Sequence, residues 1–126
     1  MKNLSLIIQA RMGSHRLPGK ILRKIENKTL LDWVIKRVKK SKKIKKIILA
    51  TTKNEKDNIL QQIAYKNKIS FFRGQNQDVL GRFYKAAKTH KSEVIIRVCA
   101  DNPFIDFKLI DLLIDKFKSK KYDYIC

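Results

Sequence analysis

Short apolar runs recur along this chain, spaced too widely for hairpins and widely enough to hold a helix between each pair. LSLIIQA (residues 4–10), IILAT (47–51), ISFF (69–72) and VIIRVC (94–99) are the clearest. Between them the apolar residues return every three or four positions, as on one face of a helix. Leu31, Val34, Ile35 and Val38 form the first such stripe, and Ile59, Leu60, Ile63 and Ala64 the second. A third helix runs through VLGRFYKAAKTH after Asp78, with Gly81 as its weak point. Leu109, Ile110, Leu113 and Phe117 mark a fourth, and residues 122–126 read as the start of a fifth strand. Strands alternating with helices of this length predict an α/β fold with a mostly parallel sheet.

Local signals sharpen the boundaries. Thr29 and Asp32 have the spacing of a capping box. Asn54 can cap the second helix, and Asp106 reads as the N-cap of the fourth. In a parallel sheet, ligands collect at the carboxyl ends of the strands. The loops there are RMGSHRLPGK, Thr51-Thr52, RGQNQD and ADNP, all predicted to lie on one edge.

The first loop, within QARMGSHRLPGKI, has the chemistry of an anion site. Arg11, Arg16 and Lys20 supply charge, and Gly13 and Ser14 let a ligand approach the backbone. It is not a Walker A loop. Gly13 and Gly19 are one residue too far apart, Ile21 follows Lys20 where a hydroxyl is needed, and Pro18 removes an N–H. A solvated basic turn is the alternative. Asp101, at the end of the fourth strand and just before Asn102-Pro103, fits either a magnesium ligand or a simple turn residue. Arg73, Gly74, Asp78 and Arg82 make a further polar group. It reads equally as a helix cap with outward-pointing arginine and as a contact to a base, ribose or phosphate. His15 and His90 are weak candidates for catalysis, and Cys99 is expected in the core.

Composition narrows the class. The 126 residues are 44% hydrophobic, enough for one core and too many for a disordered chain. No apolar run approaches the roughly 18 residues of a membrane span. Two cysteines without metal spacing fit a reducing, cytoplasmic setting. The net charge of +19 admits nucleic acid, small polyanions such as nucleotides, or a lysine-rich solvated surface. Lysines scattered as in KRVKKSKKIKK, without interleaved aromatics, favour the solvated surface over nucleic acid.

IIQARMGSHRLPGKIL resembles the nucleotide-binding signature of the sugar-acid cytidylyltransferases, the acylneuraminate and ketodeoxyoctonate enzymes. It is most similar to their spore-coat-polysaccharide branch. ATT (50–52), DVLGRFYKAA (78–87) and RVCADNPFID (97–106) follow in the family's order. The resemblance implies a Rossmann-like nucleotidyltransferase domain, three-layer αβα. It also implies transfer of CMP from CTP to a sugar-acid hydroxyl, with magnesium, for surface polysaccharide synthesis. Carried onto this chain, it implies that Arg11, Gly13, Ser14, Arg16 and Lys20 hold the triphosphate. Asp101 matches the metal-binding aspartate, and Arg11, Lys20 and Asp101 are the implied catalytic residues. Ala10, Ala50 and Thr51 are implied to border the nucleoside, with Asp78 and Arg82 nearby. Cys99 departs from the family's usual small or hydroxyl residue. Family members usually extend well beyond residue 126. Residues 1–126 are therefore expected to be the nucleotide-binding part of the domain, lacking the C-terminal portion and paired with a second copy or a complementing chain. A nucleotide-binding half-domain inactive alone, and a basic nucleic-acid-binding protein, are the alternative readings.

Overall fold

The computed structural model describes residues 3–12, 19–75, 79–100 and 104–119. Its centre is a four-stranded parallel sheet in the order β5-β4-β1-β6. These strands are β1 (Leu4–Gln9), β4 (Ile47–Thr52), β5 (Ser70–Gly74) and β6 (Val94–Cys99). The two remaining strands, β2 (Lys24–Ile25) and β3 (Lys28–Thr29), form a small hairpin. In register, Gln9 of β1 lies beside Ala50 of β4 and Cys99 of β6, so the carboxyl ends share one edge.

Alternate residues of each strand serve opposite faces. On one face Leu6, Ile8 and Leu49 pack with α1 (Leu30–Val38), α2 (Asn58–Lys66) and α4 (Phe107–Ser119). On the other, Ile7, Ile48 and Ala50 pack against Phe83, Ala86 and Ala87 of α3 (Val79–Thr89). The chain is thus the expected three-layer αβα sandwich.

Leu31, Val34, Ile35 and Val38 of α1 are fully buried, as their spacing predicts. The capping box also forms. Asp32 N–H donates to Thr29 Oγ1 at 3.0 Å, and Thr29 N–H donates to Asp32 Oδ2 at 3.2 Å. Asn67 adds a 2.8 Å bond to the same carboxylate. Burial works to raise the Asp32 pKa, but these donors and the charge of Lys66 outweigh it and hold the carboxyl below its ordinary value. Asp106 caps α4 by accepting from the backbone of Lys108 and Leu109.

Several expectations are corrected. The β2–β3 hairpin was not anticipated. It turns through Glu26 and Asn27, both at positive φ, and lacks the usual Asn-Gly signal. Asn54 caps a 3-10 turn, Glu55–Asp57, and α2 begins only after it. The strand expected at 69–72 is shifted to Ser70–Gly74. Ile59 and Leu109 are largely exposed, because α2 turns Leu60, Ile63 and Ala64 inward and α4 turns Ile110 and Ile114 inward. Cys99 is exposed rather than in the core, since it lies on the face of β6 that α3 leaves open. The strand expected at 122–126 lies outside the described residues.

Candidate active site at the carboxyl edge of the sheet

Where β1 and β6 end, a cavity of about 300 Å³ opens. Gln9, Ala10, Arg11 and Lys20 line it from the first strand and loop, and Arg97, Cys99 and Ala100 from β6. Phe83 of α3, with Ile21 and Val98, supplies apolar walls. Among the described residues that line it, three are cationic and none is acidic, which suits an anion.

The first loop is held at its base. Gly19 N–H donates to the Met12 carbonyl at 3.3 Å, and Gly19 has φ +74, a conformation that suits glycine. Lys20 then starts a 3-10 turn, Lys20–Leu22, that directs it back to the cavity. On the other side, the Met12 N–H donates to Asp57 Oδ1 at 2.7 Å. Asp57 is 3% exposed and also accepts from the Thr52 hydroxyl at the end of β4. One carboxylate therefore ties the loop after β1 to the loop after β4.

The second polar group, for which the sequence left two readings open, braces loops through its arginines. Arg73 donates to Thr52 O at 2.7 Å, Asn58 Oδ1 at 2.8 Å and Asn54 O at 2.8 Å, so it braces loops. Arg82 is 1% exposed, not outward-pointing, and donates to the Gln75 carbonyl at 3.0 Å. A Cβ at Gly74 would stand 2.8 Å from Arg82 Cγ, so the glycine makes room for this arginine.

Of the residues expected at the site, the structure brings Ala10, Arg11 and Lys20 together in the cavity. Ala50 and Thr51 are fully buried in β4, beside β1, and do not line it. Arg82 supports the loop after β5. Gly13, Ser14, Arg16, Asp78 and Asp101 lie outside the described residues. Asp101 directly follows Ala100, which lines the cavity. Among the described residues no cluster of His, Cys, Asp and Glu could hold a metal ion. Nor is any described helix long and apolar enough to cross a membrane.

Sequence reasoning missed Gln9, Arg97, Cys99 and Asp57. Arg97 and Cys99 belong to a motif that drew attention for Asp101. The strand period, which puts Arg97 and Cys99 on one face with Gln9 beside Cys99, could have found them.

A parallel αβα sheet with a cationic cavity at its carboxyl edge defines an α/β domain whose anion-suited cavity lies where such sheets take ligands. The cytidylyltransferase family model matches residues 5–126, and the chain belongs to that family. It is 41% identical over 128 aligned residues to the spore coat polysaccharide biosynthesis protein SpsF of Bacillus subtilis, covering 98% of this chain and 53% of that protein. It is 32% identical over 117 residues to the 3-deoxy-manno-octulosonate cytidylyltransferase of Fusobacterium nucleatum, covering 91% and 46%. A solved cytidylyltransferase from Leptospira borgpetersenii superposes with a TM-score of 0.92 at 39% identity, covering 96% of this chain and 51% of that one. The chain thus spans about half the length of these relatives.

Proposed function

We propose that this chain forms the nucleotide-binding part of a cytoplasmic enzyme that transfers CMP from CTP to a sugar-acid hydroxyl, releasing pyrophosphate. The observation that carries the reading is the cationic cavity lined by Arg11 and Lys20 in a cytidylyltransferase chain. The acceptor hydroxyl oxygen bonds to the α-phosphorus, the bond to the bridging oxygen breaks, and pyrophosphate leaves with that electron pair. The hydroxyl proton passes to solvent.

The barrier is the negative charge on both reactants and on the departing pyrophosphate. Cations fixed before the reaction lower it without reorganising. Arg11 and Lys20, with Arg16 and the Gly13-Ser14 backbone, hold the triphosphate. Asp57 keeps the loop entrance in place through Met12. Ala10 borders the nucleoside, Ala50 and Thr51 are buried in the neighbouring β4 behind it, and Asp78 and Arg82 support that side. Asp101 would hold a magnesium ion, which would supply further charge neutralisation.

Calorimetry with CTP and magnesium tests the reading, with the other nucleoside triphosphates alongside. Selective CTP binding that collapses in Lys20→Ala is the expected result. Equal weak binding of all four, unchanged in the variant, would overturn it. Pyrophosphate release with candidate sugar acids then measures turnover separately.

A further inference from the structure

The cavity has more positive charge than the first loop provides. Arg97 stands on β6 opposite Ile7, two residues before Cys99, and on the same face. This sets it roughly 6.6 Å further from the carboxyl edge than Cys99. Its guanidinium lies over the buried Phe83 ring, 4.4 Å from the centroid.

Stacking of this kind fixes the plane of an arginine and leaves its N–H edge available. Among the described residues, Arg97 makes no hydrogen bond or ion pair, and no acid lines the cavity. A stacked fork without a partner among the described residues, on the wall of an open cavity, matches a planar oxyanion. Arg11 and Lys20 come from the other strand's loop, so the charges form two groups with Gln9, Cys99 and Ala100 also lining the space.

We propose that Arg97, stacked on Phe83, receives the carboxylate of the acceptor, separately from the cations that hold the triphosphate. This rests on the nucleotide reading above. It assigns the acceptor as a molecule with a free carboxylate, oriented toward α3 while its hydroxyl faces the nucleotide.

Cys99 provides the readout, because its thiol is exposed on the same cavity wall. In a Cys126→Ser background, the rate of Cys99 alkylation by iodoacetamide is measured with and without ligand. The conditions are CTP-magnesium alone, then with 3-deoxy-manno-octulosonate, with mannose as an uncharged control, or with inorganic phosphate. The sugar acid should slow alkylation of the CTP-loaded protein at least threefold, and mannose and phosphate should not. Arg97→Ala should abolish that protection while CTP affinity falls less than tenfold. Arg97→Lys, which keeps the charge without the fork, should retain only part of it.

Protection that persists in Arg97→Ala, or that mannose supplies equally, would overturn the assignment. So would protection by phosphate, or a tenfold loss of CTP affinity in Arg97→Ala, since either would make this a phosphate site. CTP binding with no sugar-acid protection refutes this inference alone. Absence of CTP binding refutes the nucleotide reading and takes the inference with it.

Discussion

At the carboxyl edge of the sheet, Arg11, Lys20 and Arg97 share one cavity. At the amino edge, Lys39, Lys45, Lys46 and Lys68 line a cleft of about 250 Å³. Both are basic, yet they are made differently. The carboxyl-edge cations are placed by strand ends, a loop pinned through Met12 and Gly19, and a guanidinium stacked on Phe83. The amino-edge cations are lysines on flexible stems, and Lys39 is engaged in donating to the Asn67 carbonyl. Charge alone does not mark a binding site; charge held in place by the backbone does.

The largest effect should come from exchanging the two edges in a binding assay. Arg11→Ala should weaken CTP about 10- to 100-fold, as expected for losing a charge-assisted contact of about 1.5–3 kcal/mol. Lys45→Ala with Lys46→Ala removes twice the charge and should change it less than about twofold, since exposed charges at that distance are screened. Equal losses measured by calorimetry would break the distinction.

Asp57→Ala comes next. It leaves the Met12 N–H and the Thr52 hydroxyl without their shared acceptor in a buried place. Unfolding in urea should show a loss of about 1–3 kcal/mol. CTP binding should weaken as well, because the first loop loses its anchor. Asp57→Asn, which can still accept from Met12, should restore most of the affinity. A stability loss with unchanged affinity would mean that the anchor does not serve the site.

Much of this architecture was legible because it is local. The α1 stripe follows from helical spacing, and the Thr29–Asp32 box from residues three apart. The β6 strand was legible too, but the fate of its side chains was not. The neighbouring β1 and β6 are both apolar runs, yet β1 is covered on both faces. On β6, Ile95, Arg97 and Cys99 are left exposed because α3 packs mainly over β5, β4 and β1 and touches β6 where Phe83 meets Arg97. Which face a helix covers depends on the assembled layers, so Cys99 was misplaced. Asp57 was silent for a similar reason: its partner Met12 is 45 positions away in sequence. Ala10, Arg11 and Lys20 were legible through a long, specific motif.

Smaller effects separate the scaffold from the site. Thr29→Ala removes the α1 cap and should cost about 0.5–2 kcal/mol with little change in CTP affinity. The same contacts depress the Asp32 pKa, so their stabilisation is complete above the ordinary carboxylate range. It is lost as the pH falls through the lower folded value. The urea midpoint of the wild type should therefore drop more steeply in acid than that of Thr29→Ala.

The smallest effect concerns the amino edge. Burial, then the charge of Lys46, lowers the His90 pKa, against an opposing backbone hydrogen bond at Phe71. A lowered value favours the neutral ring in the fold. Stability should fall slightly as the pH drops from the ordinary histidine value to the folded one, and level off below it. Urea midpoints at pH 7.5 and 5.5 should differ less in His90→Asn than in the wild type.

The most direct measurement is a CTP-magnesium titration of nitrogen-15-labelled protein, followed by NMR amide shifts. The account predicts shifts at Gln9–Met12, Lys20, Ile21 and Val98–Ala100, with Lys39, Lys45, Lys46 and Lys68 unmoved. Shifts centred on the amino-edge lysines, or spread evenly over both edges, would contradict it.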